Sequence, residues 1–245
     1  MKILGVIPSR FASSRFPGKP LIDLAGKSMI QRVYEGAQKC ELFSELLVAT
    51  DDQRIYDHVL EFGGHAMMTS ELHQSGTDRC GEVIATYSDF DVVVNIQGDE
   101  PLVEAEQLRQ LIQVFHDEKT QIATLGIAIQ NQQELFNPNR IKVVVNKLGQ
   151  AIYFSRNPIP YGAQMLQEFW MKNYPYLRHI GLYAYRTEAL KQLVNLEPTA
   201  LEKQESLEQL RWMYHGYAIQ VVLTEIETPN IDSPEDVATI LDLLT

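Results

Sequence analysis

The segment Ile3-Leu4-Gly5-Val6-Ile7-Pro8-Ser9-Arg10 decides the fold class. Its apolar residues 3–7 predict a short buried strand, and Pro8 marks the point where a polar loop begins. Two more short apolar runs, at residues 46–49 and 92–96, read as further buried strands, with helical patterns between them. Strand and helix alternating in this order predict an α/β protein, with a mostly parallel twisted sheet and helices on both faces.

Local signals mark where several helices start. Ser28 and Gln31 form a capping-box signature ahead of apolar residues at helical spacing. A second helix is expected after Asp51 and Asp52, and a third from about residues 77–78 until just before residue 88. For the last helix we expect Ser233 as the N-cap, followed by Pro234 and Asp236 in the first turn.

After about residue 120 the pattern loosens, although no linker marks a domain boundary. In the strand predicted at 179–185, Ile180, Leu182 and Ala184 point to one side, and His179, Tyr183 and Tyr185 to the other. The other elements predicted here are strands at 141–146, 151–155 and 218–223 and a helix at about 202–214. We therefore expect a single domain over residues 1–245.

Composition excludes several classes of function. The chain has 245 residues and a mass of 27.9 kDa, with 21 Lys and Arg against 32 Asp and Glu, a net charge of −11. Such a charge repels nucleic acid and anionic membrane surfaces. Cys40 and Cys80 lack metal-ligand spacing, and no apolar run approaches the ~18 residues of a membrane span. We expect a cytoplasmic protein with no nucleic-acid partner and no membrane insertion.

The loop after the first strand is the first candidate site, because ligands of α/β sheets bind at the carboxyl ends of strands. It concentrates cations, hydroxyls and a glycine within ten positions of an otherwise acidic chain: Arg10, Ser13, Ser14, Arg15, Gly18 and Lys19. Such a set suits a polyphosphate; the alternative is a solvated turn with incidental basic residues. Neither a P-loop nor a GxGxxG fingerprint is present.

The second candidate site is the segment Gln97-Gly98-Asp99-Glu100-Pro101, directly after the strand at 92–96. Carboxylates at this point are well placed to hold Mg²⁺ together with substrate phosphates. The alternative is a turn in which Asp99 or Glu100 caps the next helix. Asp232 is a possible second ligand, although an acidic residue beside a helix start is also ordinary helix-dipole chemistry.

Three weaker patterns leave both interpretations open. The loop at 73–79 could read a nucleotide base through amides and hydroxyls, or it could be a plain turn. The polar side of the strand at 179–185 could line a pocket or be satisfied structure. Glu202, Glu205 and Gln209 share one helical face, for which solvent is the default environment.

Together these segments resemble the 3-deoxy-manno-octulosonate (KDO) cytidylyltransferase family over nearly the whole chain. A basic loop alone marks only the broader sugar nucleotidyltransferase fold, whereas eight motifs in this order are specific to the octulosonate branch. The motifs are Ile7-Pro8-Ser9-Arg10 continuing into residues 15–21, then residues 49–52, 73–79, 95–101, 154–156 with 159–160, 179–183, 207–211 and 232–236.

The resemblance implies a Rossmann-like nucleotidyltransferase fold and a reaction of CTP with a 2-keto-3-deoxy sugar acid. The products would be the CMP-sugar, for lipopolysaccharide biosynthesis, and pyrophosphate. It also implies Mg²⁺ and a homodimer formed through the region after residue 130. On this basis residues 1–125 are expected to form the CTP-binding part. Residues 126–225 would form the sugar-acid and dimer part, and 226–245 would supply a metal ligand and the C-terminal helix.

The resemblance also implies a role for each matching residue. Those expected to bind CTP are Arg10, Ser13, Arg15, Lys19, Gln74, Ser75, Thr77, Arg79 and Gln97. Those expected to bind the sugar acid are Arg156, His179, Tyr183, Glu208 and Gln209. The expected metal ligands are Asp99 and Asp232, and the expected catalytic residues are these two aspartates with Arg15 and Lys19.

The chain departs from the family pattern at two places. Ser9 stands where Ala is usual, and Asn230-Ile231-Asp232 replaces Gly-Val-Asp in a shorter connection. The resemblance leaves open whether the acceptor is the octulosonate or its 8-amino analogue. The other hypotheses are a cytidylyltransferase for another acceptor, such as sialic acid, and a non-catalytic CTP-binding module.

Overall fold

A nine-stranded mixed sheet organises the described part of the chain. The computed structural model describes residues 1–12, 16–231 and 233–244. The strands are β1 (Ile3–Ser9), β2 (Glu45–Thr50), β3 (Ala66–Met68), β4 (Val92–Asn95), β5 (Ile122–Ala128), β6 (Lys142–Val145), β7 (Ala151–Ser155), β8 (Leu177–Arg186) and β9 (Ile219–Thr224). Their order is β3-β2-β1-β4-β8-β5-β9, and β6 pairs with β7 and with β8.

Most of the central pairings are parallel, as the alternation of strands and helices predicts. β1 pairs in parallel with β2 and β4, β2 with β3, and β5 with β9. β8 is the exception in this row, because it runs antiparallel to both β4 and β5. Its amino-terminal half therefore lies at the sheet edge where β1 and β4 end, which brings residues 179–181 beside the loop that follows β4.

Helices cover the sheet, and three of them begin at a capping side chain close to the start predicted from the sequence. The Ser28 hydroxyl accepts from the Gln31 backbone N–H, the Asp52 carboxylate from that of Arg54, and the Ser75 hydroxyl from that of Asp78. The helices are α1 (Met29–Gln38), α2 (Gln53–Glu61), α3 (Gly76–Thr86), α4 (Ala105–Gln113), α5 (Gln132–Phe136), α6 (Trp170–Asn173), α7 (Thr187–Leu193), α8 (Ala200–Glu205), α9 (Gln209–Tyr214) and α10 (Asp236–Leu244).

β8 divides the core into two halves by the alternation of its side chains. Ile180, Leu182 and Ala184 belong to one buried cluster, while Tyr183 and Tyr185 belong to another. The alternation predicted for this strand is therefore confirmed. Each face of the sheet is buried, which fits the nearly continuous apolar character of β1 and β4.

Three local predictions were wrong. The sequence pattern does not predict β5, although it pairs with both β8 and β9. The single helix predicted at 202–214 is two helices, α8 and α9, because Ser206 adopts a left-handed conformation with φ 51°. The last helix begins at Asp236, two residues after the predicted start at Pro234, because turns occupy residues 234–235; the Asp236 carboxylate still accepts from the Ser233 backbone N–H at 2.8 Å, as in a capping box.

The face formed by Glu202, Glu205 and Gln209 is not a solvent face. Glu202 forms an ion pair with Arg211, and Glu205 accepts from the Ser155 hydroxyl at 2.8 Å. Gln209 is buried. No helix among the described residues is both long and apolar enough to cross a bilayer.

Candidate active site

Two adjoining cavities lie at the edge of the sheet where β1 and β4 end. The first, of about 250 Å³, lies between the loop after β1 and the start of α3. The second, of about 280 Å³, lies beside the amino-terminal half of β8. Gln97 and Asp99 line both cavities. A ligand in each cavity would therefore meet the other at the turn that follows β4.

The first cavity brings together most of the residues expected to bind CTP. Those that line it are Arg10, Lys19, Gln74, Ser75, Arg79 and Gln97, with Asp99. Thr77 is buried behind them in α3. Ser13 and Arg15, also expected to bind CTP, lie outside the described residues, as does Asp232.

Lys19 ties three distant segments together in this cavity. Its Nζ donates to Asp99 Oδ2 at 3.0 Å and to the Ile231 carbonyl at 2.7 Å. The Ile231 backbone N–H in turn donates to the Asp99 carbonyl at 2.9 Å. The chain just before Asp232 is thereby held against the Asp99 turn, although these residues are far apart in sequence.

Arg79 is a buried cation in the wall of the first cavity. Its Nη2 donates to Asp51 Oδ2 at 2.7 Å, and its Nη1 donates to the Thr69 hydroxyl. The sequence assigned Asp51 to a helix start, but its carboxylate instead neutralises Arg79 across the loop after β2. The guanidinium is thus held in place at the cavity wall by its protein partners.

The second cavity contains His179 and Gln209 of the residues expected to bind the sugar acid. His179 Nε2 lies 2.9 Å from the Thr124 hydroxyl, whose oxygen is also 2.7 Å from the Leu182 carbonyl. Because a carbonyl can only accept, we assign the Thr124 hydroxyl as the donor to the Leu182 carbonyl. The His179 Nε2–H then donates to the Thr124 hydroxyl oxygen. Burial, with the nearby charge of Arg178, lowers the pKa of His179 to about 3. The imidazole is therefore neutral at pH 7.

Glu208, Arg156 and Tyr183 occupy different surroundings. The Glu208 carboxylate accepts from the Ser75 and Thr77 hydroxyls at 3.0 and 2.8 Å, and burial raises its pKa. The Arg156 guanidinium donates to the carbonyls of Glu205, Pro138 and Ser206. Tyr183 packs its ring 5.3 Å from that of His179. Its hydroxyl is buried beside the Thr124 side chain.

Sequence reasoning missed two ionisable residues that line the second cavity, Arg140 and Arg178, and it placed Glu100, a third, only in the turn after β4. Burial, reinforced by the charge of Asp99, raises the pKa of Glu100 to about 8. Arg178 precedes His179 on β8, and Arg140 precedes the strand β6. For Arg140 and Arg178, the sequence feature that could have indicated them is a basic residue next to the end of a strand in an acidic chain.

Asp99 is the described residue best suited to hold a divalent ion. Its side chain is 30% exposed and lies in the wall common to both cavities. Mg²⁺ is usually held by one or two carboxylates together with substrate phosphates, so a single half-buried carboxylate at the meeting point fits it. The described residues contain no cluster of three or more His, Cys, Asp or Glu that would form a site without substrate.

Comparison with known proteins decides the family. A sequence profile of the cytidylyltransferase family matches residues 4–224. A protein of Parabacteroides distasonis named 3-deoxy-manno-octulosonate cytidylyltransferase is 50% identical and covers 100% of this chain and 98% of its own length. The chain belongs to the 3-deoxy-manno-octulosonate cytidylyltransferase family. A second member, from Bacteroides thetaiotaomicron, is 51% identical over 96% of this chain and 95% of its own length.

Solved structures agree with this family. CMP:2-keto-3-deoxy-manno-octonic acid synthetase complexed with CTP superposes with a TM-score of 0.93 at 41% identity, covering 100% of this chain and 98% of that one. The predicted nucleotidyltransferase fold is thereby confirmed. A 4-diphosphocytidyl-2C-methyl-D-erythritol synthase from Anaerococcus prevotii shares the fold at a TM-score of 0.65 and 12% identity, covering 99% of this chain and 98% of that one.

Proposed function

We propose that this chain transfers the cytidylyl group of CTP to 3-deoxy-manno-octulosonate, releasing pyrophosphate and forming the CMP-sugar. The observation that carries the proposal is the pair of adjoining cavities that meet at Gln97 and Asp99. A two-substrate transfer needs a nucleotide and an acceptor to touch at one point. The family relatives named for this activity support the choice of substrates.

The first cavity is proposed to hold CTP. Arg10 and Lys19 line it and would oppose the negative charge of the triphosphate. Ser13 and Arg15, which belong to the same basic loop, are proposed to join them. Gln74, Ser75, Thr77, Arg79 and Gln97 are proposed to form the cytidine side of this cavity.

The second cavity is proposed to hold the sugar acid. His179, as a neutral imidazole with Nε2 donating to Thr124, would present Nδ1 as an acceptor for a sugar hydroxyl. Gln209 lines the same cavity and offers an amide. Tyr183 is proposed as a further contact, as the family resemblance implies, and its ring packs against that of His179. Arg156 and Glu208 are proposed to support the pocket.

The reaction is proposed to be an in-line displacement, in which the anomeric hydroxyl attacks the α-phosphorus and pyrophosphate leaves. Catalysis then consists mainly of positioning and charge stabilisation. Lys19 and Arg15 are proposed to take up negative charge that accumulates on the leaving pyrophosphate. Mg²⁺ held by Asp99 and Asp232 would supply neutralisation of phosphate charge and a lower pKa for the attacking hydroxyl.

The chain is further proposed to act in the cytoplasm as a homodimer. The dimer proposal is supported by exposed apolar side chains that concentrate in the second half. Around the β6–β7 hairpin and the edge strand β9, the exposed fractions are 65% for Leu148, 56% for Ile152 and 61% for Leu223. Apolar surface of this kind is typical of an interface. We also propose the division of the chain into a CTP-binding part (residues 1–125), a sugar-acid and dimer part (126–225) and a C-terminal part (226–245).

The test of the function is an acceptor panel. The protein is incubated with CTP and Mg²⁺ and with the octulosonate, its 8-amino analogue, sialic acid or no acceptor, and pyrophosphate is measured. Rapid release with the octulosonate is the expected result. Release only with sialic acid would overturn the proposed acceptor, and thermal stabilisation by CTP without release from any acceptor would indicate a non-catalytic module.

A further inference from the structure

The second cavity contains two arginines with different surroundings. Arg178 Nε lies 3.1 Å from Glu134 Oε1, and its Nη2 lies 3.0 Å from Glu227 Oε1. Its charge is therefore already matched by two carboxylates. Arg140 lines the same cavity, and its guanidinium has no ion pair and no hydrogen bond to any described residue.

The carboxylates that line this cavity do not compensate Arg140 either. Asp99 is paired with Lys19, and Glu100 is buried, with one oxygen 3.4 Å from the Thr228 hydroxyl. Glu134 and Glu227 line a neighbouring opening with Arg140, but both are paired with Arg178, so the second cavity keeps one cation that forms no ion pair with a described residue. A cavity with an uncompensated guanidinium suits an anionic ligand.

The main chain that carries Arg140 is firmly held. Lys142 is fully buried in β6, and its Nζ donates to the carbonyls of Asn137 at 3.0 Å, Arg140 at 2.6 Å and Arg156 at 2.5 Å. The Arg140 backbone N–H also donates to the Asn137 carbonyl at 3.1 Å. These bonds fix the turn before β6, so the base of the Arg140 side chain is preorganised at the cavity wall.

Arg156 is the cation that the family resemblance implies for sugar binding, and it differs from Arg140 in this respect. Nε of Arg156 donates to the Glu205 carbonyl at 2.7 Å, and the two terminal nitrogens donate to Pro138 and Ser206 at 3.1 and 3.2 Å. Its guanidinium is committed to the backbone. To bind a substrate carboxylate in its place, it would have to give up these bonds.

We propose that Arg140 binds the carboxylate of the sugar acid and is a specificity-determining residue of the second cavity. A guanidinium and a carboxylate match as planar, bidentate partners, so this contact selects an acid over a neutral sugar and orients its anomeric carbon. The inference rests on the proposed function, since it requires a 2-keto sugar acid in this cavity.

The test compares Arg140→Gln and Arg140→Lys with wild type in the pyrophosphate assay. Arg140→Gln is expected to raise KM for the octulosonate by about 10–100-fold, the range for a lost hydrogen bond to a charged group, while KM for CTP stays within about twofold. Arg140→Lys, which keeps the charge but not the fork, should recover part of the loss. Arg109→Gln is the control, because Arg109 is remote and binds Glu106 and the Lys39 carbonyl.

A second probe separates recognition from support. Wild type is expected to show much higher activity on the octulosonate than on its carboxamide. Arg140→Gln is expected to lose most of this difference. If the role of Arg140 were only structural, the substitution would lower activity on both acceptors equally. An unchanged KM for the octulosonate in Arg140→Gln, or retained discrimination, would overturn the inference. Absence of pyrophosphate release by wild type with any sugar acid would instead overturn the proposed function.

Discussion

Lys19 Nζ lies 3.0 Å from Asp99 Oδ2 and 2.7 Å from the Ile231 carbonyl, so one ammonium joins the basic loop, the turn after β4 and the segment before Asp232. The Lys19 side chain is only 13% exposed, and that of Asp99 is 30% exposed. This contact places the cation of the first candidate site against the carboxylate of the second. It is the structural basis for assigning both motifs to one active site.

Asp99→Asn tests the catalytic role of this carboxylate. The substitution keeps the shape of the side chain but removes the charge, so we expect kcat to fall by about 10²–10³-fold, the scale of one preorganised stabiliser. Asp117→Asn is the control, because Asp117 is exposed beyond the opposite edge of the sheet. Turnover of Asp99→Asn close to that of the control would remove Asp99 from the reaction.

Glu208→Ala tests whether Glu208 supports the fold of the site. The change leaves the Ser75 and Thr77 hydroxyls without their acceptor at the start of α3, so we expect the free energy of unfolding to fall by about 1–3 kcal/mol in urea titrations. Glu188→Ala, at an exposed ion pair, should change it by less than about 1 kcal/mol. Unchanged stability with a large rise in KM for the sugar acid would show that Glu208 acts only on substrate.

Ser9→Ala and Ser28→Ala form a pair of buried serines with opposite expected effects. Ser9 Oγ has no partner among the described residues, so its removal should raise the free energy of unfolding by about 1 kcal/mol. Ser28 caps α1 and contacts His58, so its removal should lower that free energy by about 1 kcal/mol. A lower free energy of unfolding for Ser9→Ala would contradict the conclusion that the Ser9 hydroxyl has no hydrogen-bond partner.

His179 is expected not to titrate in the physiological range. Its pKa of about 3 in the folded chain lies below the ordinary value near 6.5, so between these values the unfolded chain binds more protons. The contribution of His179 to stability is therefore present above about pH 6.5 and is lost as the pH falls toward 3.

The direct measurement for His179 is an NMR titration of its ring protons. They should show no midpoint between pH 5 and 8, whereas a midpoint near 6.5 would contradict the neutral imidazole. In the His179→Gln variant, the loss of stability between pH 6.5 and 4 should be smaller than in wild type. Phe154, which packs edge-on against His179, offers a probe that the ring environment is intact.

Local sequence patterns predict much of this fold. β1, β2 and β4 follow from short apolar runs, and α1 follows from its cap at Ser28, because both depend on neighbouring residues. β5 and the break at Ser206 do not follow. The break accompanies two carboxylates that bind distant partners, Glu205 at Ser155 and Glu208 at Ser75. Such long-range bonds leave no local periodicity to detect.

The candidate site was predictable to a similar extent. Its nucleotide half comes from the loops after β1 and β4, which strand order brings together, and from the start of α3, and six of its expected residues line one cavity. The sugar half depends on β8 running antiparallel, because this direction places residues 179–181 beside Gln97. The Gln97 Nε2 donates to the Gly181 carbonyl at 2.9 Å. The sequence does not predict a role for Arg140, because its lack of an ion-pair partner depends on the three-dimensional arrangement.

The most direct test of the account is where a divalent ion binds. In crystals grown with CTP and Mn²⁺, an anomalous difference map locates the metal without assumptions about the protein. We expect a peak at about 2.0–2.2 Å from an Asp99 carboxylate oxygen and from CTP phosphate oxygens, in the wall between the two cavities. A peak remote from Asp99, with CTP bound and turnover intact, would contradict it.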